Sequence, residues 1–200
     1  RDLIQMYAQT KIADLTKSKI QEYNNEISKW FTFVSNKKMY NHKELLKIFK
    51  ESNCNAGVID PFTGLNHDRR VNQYERNYLI CNDIREFCNT TKKAIYLMTH
   101  PMTEAARRVY PPNHEFSGYI QPPRKSDVEG GQVFANRCDS FLSIHRFINS
   151  PENWMTTQVR VEKIKDKETG GTPTLTDCLS FDYNYGLGFT IGGINVLKNK

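Results

Sequence analysis

Two hundred residues, 38% of them hydrophobic and 25% charged, suit one folded domain with a sizeable core and exclude a disordered tail. No apolar run approaches the ~20 residues that a membrane span needs, and Arg1–Gln5 carries no signal-peptide pattern. The net charge of +6 favours a polyanionic partner. The five cysteines (Cys54, Cys81, Cys88, Cys138 and Cys178) are odd in number and lack a Cys-x-x-Cys pair, which argues for reduced thiols in the cytoplasm rather than zinc or disulfides.

The first clear element is an amphipathic helix from Lys17 to Trp30, with Ile20, Tyr23, Ile27 and Trp30 at helical spacing and Thr16 or Ser18 as cap. Phe31–Val34 reads as a short strand. Asn41 caps a helix running to about Ser52, and Glu44 stands where a capping box needs it. Ala56–Ile59 is a compact apolar strand stopped by Asp60-Pro61. A loop from Phe62 to Gln73 follows, then a helix from about Asn72 to Thr90 and a buried strand, Ala94–Met98.

The segment from Met102 to Glu129, with Pro111, Pro112, Pro122 and Pro123, is too long for a mere connector. Gly130–Arg137 suits a short helix. Phe141–His145, Thr156–Lys163, Leu179–Tyr183 and Gly188–Ile191 read as strands, with a turn at Gly170-Gly171. Strand–helix–strand order predicts an α/β fold: a central parallel sheet flanked by helices, extended at its C-terminal edge by antiparallel hairpin strands.

Two strand ends carry polar groups where α/β sheets place ligand chemistry. Val58-Ile59-Asp60 ends in a carboxylate suited to Mg²⁺, a hard cation that keeps part of its water shell. A turn or helix-capping Asp is the alternative. Leu97-Met98-Thr99-His100 ends in an imidazole able to hydrogen-bond a phosphate, the alternative being a solvated His. Further on, Lys163 and Lys165 share one face of a strand before a Thr-Gly turn. They are cations placed to reach a neighbouring subunit's phosphate, or part of a solvated charged hairpin.

These pieces, in this order, resemble the ring-shaped replicative DNA helicases of the DnaB, phage T7 primase–helicase and Twinkle type. Gly57-Val58-Ile59-Asp60 matches that family's magnesium strand and His100-Pro101 its phosphate sensor. Gly130-Gly131, Asp139 and Arg146 follow in order, and Lys163-Ile164-Lys165 with Thr169-Gly170 matches its Lys-x-Arg turn. The match runs from about Cys54 to Phe189, with residues 1–53 a helix–strand–helix lead-in and 191–200 a tail.

The resemblance implies the C-terminal part of a RecA-like, phosphate-loop NTPase core that binds ATP and Mg²⁺. Asp60 would hold the metal, His100 would sense phosphate, and Lys163 and Lys165 would act across a subunit boundary. It implies a homo-oligomeric ring, hexameric in the family's manner, in a bacterial or phage-infected cell, threaded by single-stranded DNA. The DNA-gripping loops would be 61–72, with Arg69 and Arg70, and 102–125, with Arg107, Arg108, Arg124 and Lys125. Tyr110, Phe116 and Tyr119 would be placed to stack bases.

Two features depart from the family. No Gly-Lys-Ser or Gly-Lys-Thr occurs, so the phosphate-binding loop and the catalytic glutamate that follows it are expected upstream of Arg1 in a longer parent. Lys165 stands where the family has an arginine finger, and lysine lacks the planar fork, although Arg160 lies nearby. The fragment alone is therefore expected to be inactive. Other RecA-fold ATPases, recombinase-like or signalling, and a non-enzymatic nucleic-acid-binding module remain alternatives.

Overall fold

The computed structural model of the chain describes residues 1–67, 70–174 and 178–195. Helices and strands follow in the order α1 (Asp2–Ala8), α2 (Lys17–Ile27), α3 (His42–Glu51), β1 (Ala56–Ile59), α4 (Gln73–Thr91), β2 (Ala94–Leu97), α5 (Val133–Arg137), β3 (Ser140–Arg146), β4 (Thr156–Ile164), α6 (Lys167–Gly170), β5 (Leu179–Tyr183), β6 (Phe189–Ile191) and β7 (Ile194–Asn195). The class is the expected α/β.

The expected helix starts follow from local chemistry. Asn41 Oδ1 accepts from the Glu44 N–H at 3.0 Å, and Glu44 Oε2 accepts from the Asn41 N–H at 2.9 Å, which closes the capping box of α3. Asn72 caps α4 by accepting from the Tyr74 N–H at 2.8 Å. The far end of α3 is held from a distance. Lys93 Nζ donates to the carbonyls of Phe49 at 2.7 Å and Ser52 at 2.5 Å, placing a cation on the negative end of the helix.

β1 and β2 form a parallel pair, with Val58 opposite Tyr96 and Ile59 opposite Leu97. One face of the pair packs on α3 and α4 around Leu45, Ile59, Phe62, Ile80 and Phe134, with Ile95, Leu97 and Phe141 against the same core. Gly57 makes the close approach possible, since a Cβ there would lie 2.5 Å from the Phe49 ring. Ile80 is 1% exposed. Ile80→Ala is expected to cost about 2–5 kcal/mol, because transfer and cavity terms add. A urea midpoint unchanged from wild type would contradict that placement.

Two sequence expectations are corrected. Phe31–Val34 pairs with no strand among the described residues; it is extended, with Phe33 77% exposed beside Trp30 at 78%. Alternating aromatics give a segment strand character, but a strand exists only where a partner supplies the ladder. The later strands also do not extend the parallel pair. They form a separate antiparallel sheet of order β3-β4-β5-β6-β7. Its β3–β4 ladder shifts register between Phe141 and Leu142, which leaves Glu162 as an extra residue in a bulge.

Candidate functional site

Parallel pairing sets the first feature of the site. Because β1 and β2 run side by side in register, Asp60 and the Met98–His100 segment leave the sheet from the same end. The Met98 N–H donates to the Ile59 carbonyl at 2.9 Å, and the Phe62 N–H donates to the Met98 carbonyl at 2.7 Å, so pairing continues past both strand ends. Asp60 and His100 are exposed, and neither side chain has a partner among the described residues. The structure thus brings both predicted tips to one edge.

Two loops depart from that edge. The first, 61–72, opens with a 3₁₀ turn at Phe62–Gly64. Arg70 is exposed on it, while Arg69 lies outside the described residues. The second, 102–129, returns beside the sensor strand, where the Glu129 N–H donates to the His100 carbonyl at 2.8 Å. A cleft of about 180 Å³ separates the loops, lined by Phe62, Thr63, His67, Gln73, Arg76, Glu129 and Gly130.

In that cleft Arg76 Nε is buried without a partner among the described residues, and burial, then Arg76, then His42 hold the His67 imidazole below its ordinary pKa. Asn77, fully buried, donates to the Gly130 carbonyl at 2.8 Å. Sequence reading passed over Arg76 and His67. Neither carries a motif, and only the folding of one loop against the other brings them together.

The long loop is a built structure. The Tyr110 N–H donates to the Tyr119 carbonyl at 2.9 Å and the Gln121 N–H to the Arg108 carbonyl at 2.9 Å, forming a hairpin-like arm. The expected base-stacking aromatics are engaged internally. Tyr110 stacks on His114 at 4.0 Å, Phe116 on Phe147 at 4.6 Å, and Tyr119 lies 5.9 Å from Phe147. Phe116 is buried.

Arg108 is also occupied. Its Nη2 and Nη1 grip both oxygens of buried Asp127, the Nη1–Oδ1 contact being 3.2 Å. Burial pushes the Asp127 carboxyl up, but the Arg108 fork, the Arg124 N–H and the Ser126 hydroxyl outweigh it and hold the group below its ordinary range. Arg107, Arg124 and Lys125 remain exposed.

The expected trans-acting cations part company. Lys163 Nζ donates to the carbonyls of Ala135 at 2.8 Å and Asn136 at 3.2 Å, so it caps α5. Lys165 is half exposed, 3.3 Å from Asp139, and lines an open cleft of about 560 Å³ with Asp139, Ser140, Ile164, Asp166 and Gly170. Arg160 Nε lies 2.8 Å from Glu162 Oε1, within ion-pair distance but outside hydrogen-bond geometry. Arg146 lies over the Tyr183 ring at 4.2 Å.

Superposition on known structures decides the fold. The solved ATPase domain of a DnaB-like helicase aligns with 98% of this chain and 69% of its own, at a TM-score of 0.73 and 12% identity. The chain has a RecA-like ATPase fold. In sequence, a Twinkle homolog protein, chloroplastic/mitochondrial, of Arabidopsis thaliana is 28% identical over 118 residues, covering 56% of this chain and 15% of that protein. The resemblance to the DnaB/Twinkle type read from the motifs is thereby supported from sequence and from structure. The chain spans only a small part of that relative's length. No protein-family model matches the chain.

The chemistry of this RecA-like edge suits a magnesium nucleotide. A single exposed carboxylate at a strand end fits Mg²⁺, which is held by one or two carboxylates together with phosphates and water. Among the described residues no group of three His, Cys, Asp or Glu side chains forms an all-protein metal cage. No helix among them is long and apolar enough to cross a membrane.

Proposed function

We propose that this chain is part of the motor of a ring-forming replicative DNA helicase, which couples ATP hydrolysis to movement along single-stranded DNA. The observation that carries the reading is the shared edge. Asp60 and His100 stand free at the ends of two paired parallel strands, and two basic loops leave from the same place. A change at the nucleotide is then one or two residues from each loop.

Mg²⁺ supplies charge neutralisation and orientation of the phosphates when bound. In this reading Asp60 holds it through water, and His100 donates to the terminal phosphate and passes its loss to Pro101 and the following loop. Lys165 reaches the nucleotide of the next subunit, and Lys163 holds the α5 end beneath it. The phosphate-binding loop and the water-activating carboxylate come from chain outside these 200 residues. Arg107, Arg124 and Lys125, with Arg69 and Arg70 of the first loop, pair DNA phosphates. Arg108 shapes the arm from within. A ring follows from the mechanism, since Lys165 acts across a subunit boundary.

The absence of Gly-Lys-Ser/Thr from this sequence favours a second reading, a nucleic-acid-binding module without hydrolysis. ATP turnover by the full-length protein, stimulated by single-stranded DNA, separates the two. Neutralising Arg107, Arg124 and Lys125 together is expected to flatten the log–log salt dependence of DNA binding by about 2, from ~0.7 per lost contact. An unchanged slope would remove these residues from the DNA path.

A further inference from the structure

The two sheets share a core but no hydrogen-bond ladder. Leu97 of β2 and Phe141 of β3 pack on the same cluster, yet β2 pairs with β1 only and β3 with β4 only. The N–H groups of Ala94 and Met98 donate towards β1, so alternation turns the Leu97 N–H to the open edge. Facing β-edges of this kind are templates for another strand.

The faces turned away from the core are apolar and uncovered. Val58 is 56% exposed, Tyr96 53%, Met98 40%, Leu142 51% and Ile144 63%. A parallel sheet is normally covered on both faces. These five side chains alternate with residues of the shared core, so they form one side of the layer.

The overlap with the solved helicase ATPase domain extends over nearly this whole chain, so both sheets keep the relative placement they have in that larger domain. Roughly three-tenths of that domain has no counterpart here. We propose that a β-strand from chain outside these 200 residues, continued by a helix, seats between β2 and β3 and covers the apolar face of Val58, Tyr96, Met98, Leu142 and Ile144. The strand joins two sheets into one, and its end comes to lie beside Asp60 and His100. This placement rests on edges and burial, not on the nucleotide reading.

Hydrogen exchange on the full-length protein without nucleotide tests it. The Leu97 amide is expected to exchange at least about a hundredfold more slowly than an unstructured amide. Exchange at the unstructured rate overturns the proposal. Protection that disappears on dilution also overturns it, because a second copy would then be filling the slot.

A second measurement covers the face. Ile144→Asp and Val58→Asp in the full-length protein are each expected to lower the thermal midpoint by about 10 °C, since each would bury a charge. A shift under about 2 °C for both would show that the face stays in water and would overturn the proposal. Neither readout needs ATP turnover, so failure of the helicase reading leaves this test intact.

Discussion

Asp60→Asn in the full-length protein is expected to lower ATP turnover by on the order of a hundredfold, about 3 kcal/mol of lost transition-state stabilisation. Asparagine keeps the shape of the side chain but removes the charge that holds Mg²⁺. Asp60 has no partner among the described residues and is exposed, so the substitution breaks no internal bond and the fold should stand. Raising Mg²⁺ is expected to recover part of the rate. The measurement is steady-state hydrolysis against Mg²⁺ concentration, with a thermal melt as control. Turnover within twofold of wild type would remove Asp60 from the nucleotide site and return it to the role of a turn residue.

The other large effect concerns stability. Asp127→Ala is expected to cost on the order of 3 kcal/mol, the lower end for breaking a buried pair, because Arg108 keeps some contact with water. The loss includes the Arg124 N–H, which donates to Asp127 Oδ2 at 2.6 Å. Because the folded-state carboxyl is held below its ordinary value, its contribution is complete above the unfolded value and disappears as pH falls through the folded one. Wild type should therefore lose stability below roughly pH 4, and the alanine variant should lack that component. Arg108→Ala and Asp127→Ala are expected to be non-additive. Denaturant unfolding of both single variants and the double variant reads this directly. Additive losses would mean that Arg108 faces solvent and is available to DNA after all.

The two predictions separate kinds of residue that look alike in sequence. Arg107 and Arg108 are neighbours, both basic and both in a Pro-rich loop, and composition treats them as one patch. The fold divides them, because the arm turns Arg108 onto buried Asp127 and leaves Arg107 in water. Lys163 and Lys165 part in the same way, one capping α5 and the other lining the open cleft. Tyr110, Phe116 and Tyr119 close on Phe147 and His114 instead of waiting for bases.

Much of the frame was legible in advance, because it depends on neighbours along the chain. The capping box at Asn41 and Glu44, the Asn72 cap, the strands ending at Asp60 and near His100, and the short helix after Gly130-Gly131 all rest on contacts within a few residues. The order of the motifs carried the resemblance that the RecA-like fold now supports.

What only the tertiary structure decided involves partners far apart in sequence. Strand pairing is one case: β3 and β2 share a core but not a ladder, and Phe31–Val34 has no partner among the described residues. Side-chain commitment is another, since a guanidinium is free or spent according to whether a carboxylate some twenty residues away folds beneath it. Local sequence determines which element forms and what chemistry stands at its tip. Which edges meet, and which charges remain for a ligand, is settled by burial and by the need to satisfy every polar group that burial removes from water.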